Sequence, residues 1–286
     1  MKTNLLTAIY LLVAAALFPL QRFCEKQTAG FSMARISFSL PAQSMAYTPP
    51  DGEILKQKFR FLGSGGQCFA FVSEDGEYVI KLLSRGVVPT FLLDLPMPVF
   101  FKEAVMKRAS RVQKKWQRDL QSYQLAFTEL KDESGLVNLH VQETNCIGKR
   151  LNISDPLGIA HAIDLDKTAF ILQKKAEPLL CYLYEQVKAG RIDDAKHALE
   201  QTISLLSARC QKGIFDEDPR LHKNLGFVNG APIFIDVGRF KKDEMRKSPK
   251  VYQQDLLSMT PRLRAWLAQE DPRLAQHLDT LVKNDH

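Results

Sequence analysis

The stretch Gly213-Ile-Phe-Asp216-Glu-Asp218-Pro-Arg-Leu-His222-Lys-Asn224-Leu-Gly-Phe-Val-Asn229-Gly230-Ala-Pro-Ile-Phe-Ile-Asp236-Val-Gly238-Arg-Phe240 decides the fold. It begins as a polar loop carrying two acids and continues as two short apolar runs. Asn229-Gly230 separates those runs, and this dipeptide favours the tight turn that matches the twist of two antiparallel strands. A hairpin returns the chain to its own beginning. Asn224, just before it, and Asp236, just after it, therefore come to the same end. An amide oxygen beside a carboxylate is a pair of hard oxygen donors, suited to Mg²⁺ on a polyphosphate. A purely structural hairpin with solvated acids at its mouth would show the same local pattern, so the upstream sequence has to decide.

Upstream stands Phe61-Leu-Gly63-Ser64-Gly65-Gly66-Gln-Cys68-Phe-Ala-Phe-Val72. Glycines sit at a turn between two apolar runs, and Phe69 and Phe71 alternate as a strand does. Glu74-Asp75-Gly76-Glu77 is a polar turn, and Tyr78-Val79-Ile80-Lys81-Leu82-Leu83 is a third strand with one lysine inside it. Glycines let backbone N–H groups approach phosphate oxygens with no Cβ in the way. A lysine on a following strand reaches such phosphates as a point charge. The plain structural alternative is a hairpin whose lysine extends its tip to solvent.

Residues 101–130 carry helical periodicity: Val105, Ala109, Val112, Trp116, Leu120, Tyr123, Phe127 and Leu130 recur at three- and four-residue steps. Lys107, Arg108, Arg111, Lys114, Lys115 and Arg118 crowd the remaining surface, either as a solvated face or as a contact for an anionic membrane. At about 100° per residue, Asp119 falls within ~60° of Trp116, whereas Glu103 falls ~140° away. Residues 135–142 and 168–173 form strands, and 152–166 alternates as an extended hairpin turning at Asp155-Pro156. Helices follow over 178–187 and 192–210, the second with Leu199, Ile203, Leu206 and Cys210 on one face and Gly213 as its stop. Two amphipathic helices, 252–257 and 262–281, complete the chain, with Trp266 and Leu267 packing inward.

Taken in order from Gly63 to Gly238, these motifs resemble the protein kinase-like superfamily. Val79-Ile80-Lys81 stands where that family has Val-Ala-Ile-Lys, and Asp236-Val237-Gly238 where it has Asp-Phe-Gly. The resemblance implies an α+β bilobal fold, with an antiparallel N-lobe sheet and a mainly helical C-lobe. It implies ATP and Mg²⁺ as ligands. Gly63, Ser64, Gly65 and Gly66 would cover the phosphates and Lys81 would hold them, paired with a helix carboxylate for which Asp119 is the candidate. Gln173 and Lys175 would belong to the interlobe strap that meets adenine. Asn224 and Asp236 would bind the metal. Asp218 or Asp216 would orient the acceptor hydroxyl. Asp218 is the nearer to Asn224, and Asp216 is expected to face solvent or stabilise the loop.

This sequence also departs from the family's pattern. Cys68 replaces the third glycine and the His-Arg-Asp triplet is absent. Asp218 precedes Asn224 by six residues, one more than usual, and Asp216 by eight. Ala-Pro-Glu is missing and only 48 residues follow Gly238 (286 − 238). The resemblance is thus to a compact, divergent, bacterial-type kinase with a short C-lobe. It implies an ATP-dependent phosphotransferase of unknown acceptor. The alternative is a pseudokinase that keeps the fold and serves as a nucleotide-binding or protein-interaction module. A membrane-tethered interaction protein is the third reading.

Composition fits a folded chain of this kind, at 286 residues, 45% apolar and 25% charged. Net charge is +7, of which residues 1–31 supply +2 (Lys2, Arg22 and Lys26 against Glu25). An excess of about +5 elsewhere suits anionic partners. The absence of basic blocks interleaved with aromatics argues against nucleic acid. Five scattered cysteines, with no C-x-x-C, fit neither a zinc site nor a disulfide framework. Residues 5–20 are an apolar run flanked by Lys2 and Arg22, which fits a signal peptide or a short anchor contacting a membrane. The expectation is an anchored chain whose domain faces a cytosol. The alternatives are secretion, or a cytoplasmic protein if translation starts at Met33. The expected division is 1–31 as signal or anchor, 32–54 as linker, 55–175 as N-lobe and 176–286 as short C-lobe.

Overall fold

The computed structural model describes residues 19–37, 47–88, 93–94, 99–218 and 220–284. Residues 5–18 of the apolar N-terminal run lie outside these. Among the described residues no helix is long and apolar enough to cross a membrane. The chain is α+β and divides into two compact units, Met1–Val87 with His140–Ile171, and Val88–Leu139 with Leu172–His286.

The first unit is built on strands β1 (Lys58–Ser64), β2 (Cys68–Ser73), β3 (Tyr78–Leu83), β5 (Arg150–Ser154) and β6 (Ala160–Asp164). The chain passes between units within β4 (Leu136–His140) and β7 (Phe170–Lys174). The sheet runs β4-β7-β3-β2-β1-β5-β6. β1, β2 and β3 pair antiparallel, as do β5 and β6, while β1 and β5 pair parallel. Phe59, Phe69, Phe71, Ile80 and Leu82 are fully buried, which follows from alternation on a covered sheet face. Each such side chain contributes about 1.5–3 kcal/mol relative to exposure.

Phe31 and Ile36, on either side of the expected boundary between the N-terminal segment and the 32–54 linker, are both packed. Phe31 stands edge-on to Phe69 at 5.2 Å and Phe71 at 5.8 Å, and Ile36 is 1% exposed. Arg35 accepts a backbone hydrogen bond from Arg85 and lays its guanidinium over Phe69.

The second unit holds the long helix α1 (Val99–Glu129), then α2 (Leu179–Lys188) and α3 (Ile192–Gln211). Strands β8 (Glu177–Pro178), β10 (Leu225–Val228) and β11 (Ala231–Phe234) form one small sheet, and β9 (Ile214–Asp216) with β12 (Phe240–Lys242) forms another. Asn229 (φ 51°) and Gly230 (φ 79°) both take the left-handed region that the tight hairpin demands. Leu199, Ile203, Leu206 and Cys210 are all buried on one side of α3, as their spacing predicts. Gly213 (φ 64°) ends that helix.

Two expectations need correction. The long helix was placed with the N-lobe, but it groups with the helical unit. Its Ser122 donates to Val237 O and accepts from Phe240 N, both at 2.6 Å. The C-terminal helix expected over 262–281 is two, Pro261–Glu270 and Pro272–Asn284. Asp271 is extended (φ −156°, ψ 111°), because the residue before a proline is driven out of the helical region. Leu267 is buried as expected, and Trp266 is half-buried.

Candidate functional site

Each unit presents its own part of the predicted machinery. In the first unit, β1 ends in the glycine-rich turn, closed by a hydrogen bond from Gly65 N to Cys68 O at 2.9 Å. The β1–β2 register slips by one between Phe61 and Gly63, so Leu62 is bulged out and 53% exposed. Ser64, Gly65 and Gly66 are exposed. None of the three glycines has positive φ. A Cβ on Gly63 or Gly66 would meet nothing within 4 Å, and one on Gly65 only Cys68 O at 4.0 Å. The fold itself therefore does not require glycine here. Gly226 is the opposite case, because its Cβ would lie 2.6 Å from Glu177 O.

Register places a further feature beside that turn. Gly63 pairs with Ala70, and Ala70 with Lys81. Directly opposed residues share a sheet face. Lys81, half-buried, thus shares a face with two neighbours on β1 and β2 that have almost no side chain. This leaves a shallow strip along the sheet next to a cation. Ala70 was not picked out from the sequence, although the alternation of Phe69 and Phe71 already assigns it to the opposite face from theirs.

In the second unit, one loop gathers Asp216, Asp218, Asn224 and Asp236. Asn224, 4% exposed, closes a single helical turn, Leu221–Asn224. Its Nδ2 donates to Asp218 O at 2.8 Å. Its own carbonyl accepts from Ile235 N at 2.8 Å and Asp236 N at 3.4 Å. One asparagine thereby ties the acid loop to the chain leaving the hairpin. Asp236 is exposed, with Oδ1 accepting from Gly238 N at 3.2 Å. With Nδ2 committed to Asp218, the amide oxygen is what the Asn224 side chain has left to offer a metal, and the backbone contact keeps Asp236 next to it in the fold. Two oxygen ligands are a set that would suit Mg²⁺, a hard cation that takes oxygen donors. Among the described residues no group of three or more His, Cys, Asp or Glu side chains forms a metal site.

The two acids of the loop are held in opposite states. Arg220 grips Asp218, with Nε 2.6 Å from Oδ1 and Nη2 on Oδ2, and this bidentate bond holds its carboxyl below the usual range. Asp216 was expected either to face solvent or to stabilise the loop; it does not face solvent but is 5% exposed, because β9 pairs with β12 and sets Asp216 opposite Phe240. Burial pushes it up to about 7, and the neighbouring charges of Asp218 and Asp236 add to this. Arg209 and the Asp218 N–H, 2.8 Å from Asp216 Oδ1, pull the other way.

Arg209 loses that contest for a geometric reason. Its Nη1 lies 3.7 Å from Asp216 Oδ2, too far for a hydrogen bond. The guanidinium is 1% exposed, 5.5 Å from the Phe234 ring centre and 5.8 Å from that of Phe240. Nε and Nη1 have no hydrogen-bond partner. Arg209 was missed from the sequence, where it is one more cation on an amphipathic helix.

The remaining predicted residues lie elsewhere. Asp119 is 3% exposed on α1, one turn before Ser122, with Arg118 Nη2 at 3.6 Å. Gln173 is buried, its amide donating to Ser134 O at 2.6 Å and Phe234 O at 2.9 Å. Lys175 is exposed just beyond β7. An open groove of about 300 Å³ runs beside α3, lined by Ile203, Ser207, Thr280 and Leu281 among others, and includes no residue of the acid loop.

No protein-family model matches this chain, and no curated protein matches it. Solved structures do. A ROP18 kinase domain in complex with AMP-PNP and sucrose matches at 15% identity over 64% of this chain and 51% of that one, with a TM-score of 0.38. The bifunctional kinase-methyltransferase WbdD matches at 14% identity over 76% of this chain and 42% of that one, with a TM-score of 0.36. A WbdD structure with the kinase inhibitor LY294002 matches at 14% identity over 78% and 44%, TM-score 0.36. This chain spans about half or less of each of those structures.

Proposed function

We propose that this chain is a divergent member of the protein kinase-like superfamily that binds Mg-ATP and transfers the terminal phosphate to a hydroxyl group. The observation that carries the proposal is Asn224, whose side chain holds the Asp218 backbone while its carbonyl holds the Asp236 backbone. A proton acceptor and a metal carboxylate are thereby fixed on one support. The glycine turn and the Gly63–Ala70–Lys81 row give independent support from the first unit.

Asp218 is the group suited to the acceptor. It is ionised throughout the neutral range and its side chain is 17% exposed, whereas Asp216 is buried and close to half-protonated at neutrality. The acceptor hydroxyl gives its proton to an Asp218 oxygen as its own oxygen forms a bond to the γ-phosphorus. The bond from that phosphorus to the ADP oxygen breaks, and ADP leaves with the electron pair. Lys81 holds phosphate oxygens as a point charge. Asn224 and Asp236 would hold Mg²⁺, which would neutralise charge on the phosphates. Asp216 is a positioning residue that takes the Asp218 N–H and keeps the loop in register.

One observation favours a second reading, a nucleotide-binding module without transfer. Both oxygens of Asp218 are engaged by Arg220, so the carboxylate must slacken that grip to receive a proton. Thermal unfolding with and without Mg-ATP tests the binding common to both readings. Saturation at a hundred times Kd should add about 2.7 kcal/mol of stability and raise Tm accordingly. No shift at millimolar Mg-ATP in a folded sample would remove the nucleotide site. Release of ADP separates transfer from binding alone.

A further inference from the structure

The first five turns of α1 present a strongly basic exposed surface that the proposed chemistry does not use. Between Val99 and Arg118 there are seven basic residues and one acid, Glu103, a net +6 (7 − 1). At 100° per residue, Lys107, Arg111, Lys114 and Arg118 fall within about 60° of one another, and Phe100 lies on the same line. Trp116, Leu120 and Tyr123, the large buried side chains of the helix, point the opposite way, and Asp119, Ser122 and Ala126 are buried on one flank of it. All four cations of the stripe are exposed. They span about 16 Å at 1.5 Å per residue.

At the helix start the exposed side chains turn apolar. Phe100 is 62% and Phe101 50% exposed, their ring centres 4.3 Å apart, and Val99 and Met106 are 71% and 60% exposed. Two phenyl rings packed on each other in water at the end of a cationic stripe are not what a merely solvated face displays. Nucleic acid would account for the cations and leave the phenyl rings unexplained. An anionic bilayer accounts for both, since aromatic and aliphatic groups enter the headgroup boundary while lysine and arginine meet lipid phosphates.

We infer that the outward face of the N-terminal half of α1 docks on an anionic lipid bilayer, with Phe100 and Phe101 as the inserted tip. The far end of the stripe approaches the acid loop, where Glu217, held below the usual carboxylate range chiefly by its hydrogen bond from Lys241, also feels the Arg118 charge. A chain docked in this way carries its acid loop to the same surface. The docking itself does not depend on whether phosphate transfer occurs.

The test is flotation of the full chain with vesicles of phosphatidylcholine alone or with about one third phosphatidylglycerol. Binding should require the anionic lipid. It should collapse between about 0.1 M and 1 M salt, as the screening length falls from ~10 to ~3 Å. Replacing Lys107, Arg111 and Lys114 together by Gln should weaken partitioning on the order of 10²-fold. Phe100→Ser with Phe101→Ser should also weaken it while keeping the salt response. All five positions are exposed, so Tm should not move. Equal binding to neutral vesicles that neither set of substitutions changes would overturn the inference and assign membrane contact to another segment. So would a triple variant that loses single-stranded RNA and keeps the vesicles.

Discussion

The glycine turn of the first unit and the acid loop of the second are determined in opposite ways. The turn is exposed, bulged at Leu62 and closed by the backbone bond from Gly65 N to Cys68 O; its glycines have ordinary φ and open space beside them. The acid loop is stitched from several sides, by Asn224 to Asp218 and Asp236, by Asp216 to Asp218, by β9–β12 pairing and by Ser122. A glycine that the fold needs, such as Gly226, says nothing of function. Glycines that the fold does not need point to something outside the chain that must come close. Conversely, the acid loop shows how much structure is spent on fixing a few polar atoms within an ångström or so, which catalysis by positioning requires.

If that contrast is correct, the largest effects belong to the acid loop. Asp218→Asn should lower the rate of phosphate transfer, or of slow ATP hydrolysis, on the order of 10²-fold or more while nucleotide Kd stays nearly constant. Asp216→Asn should cost far less. Steady-state kinetics with parallel nucleotide titration decide the matter. A reversed ranking would transfer the proton to the buried acid and break the division of labour between the two.

A smaller effect concerns stability and pH. Asp216 has a folded pKa of about 7, above its unfolded value of 3.8, so the folded state holds the proton more tightly. Its contribution is therefore fully present below about pH 4 and is lost as pH rises through 7. Relative to Asp216→Asn, the unsubstituted protein should lose stability across that window, with a slope of at most about 1.4 kcal/mol per pH unit. The difference should level off above pH 8. Urea unfolding of both proteins from pH 4.5 to 8.5 measures it, and a flat difference would mean that the carboxyl titrates normally.

The smallest structural effect is expected at the turn. Gly63→Ala and Gly66→Ala should change unfolding free energy by no more than about 0.5–1 kcal/mol, and in the stabilising direction if anything. Mg-ATP affinity should nevertheless fall several-fold. Loss of stability without loss of affinity would return these glycines to a structural role.

What the sequence made legible follows the range of the interactions. The Asn229-Gly230 turn, the α3 face and the ends of both α2 and α3 are local, and they lie where periodicity and turn chemistry put them. The proximity of Asn224 to Asp236 was legible because a tight hairpin is itself a local device. The burial of Asp216 was not, because it depends on a strand pair that joins residues 216 and 240. Nor was the allegiance of the long helix, which rests on a serine hydroxyl, and serine carries almost no signal in a periodic pattern. The break at Asp271-Pro272 was legible in principle, since a proline preceded by an acid is a common helix end; the apolar spacing on either side concealed it.

Ser122 also sets a schedule for biosynthesis. Its two partners, Val237 and Phe240, lie 115 and 118 residues downstream. A ribosome adding about 5–20 residues per second needs roughly 6–24 s to cover that distance. Throughout this interval the nascent long helix has its buried side, Trp116 and Tyr123 included, finished but without the strand β12 that will cover part of it. The first unit, whose last segment ends at Ile171, can close earlier. A chain stalled between those two moments would carry one completed half and an apolar helix still seeking its cover, the form in which chaperones would meet it.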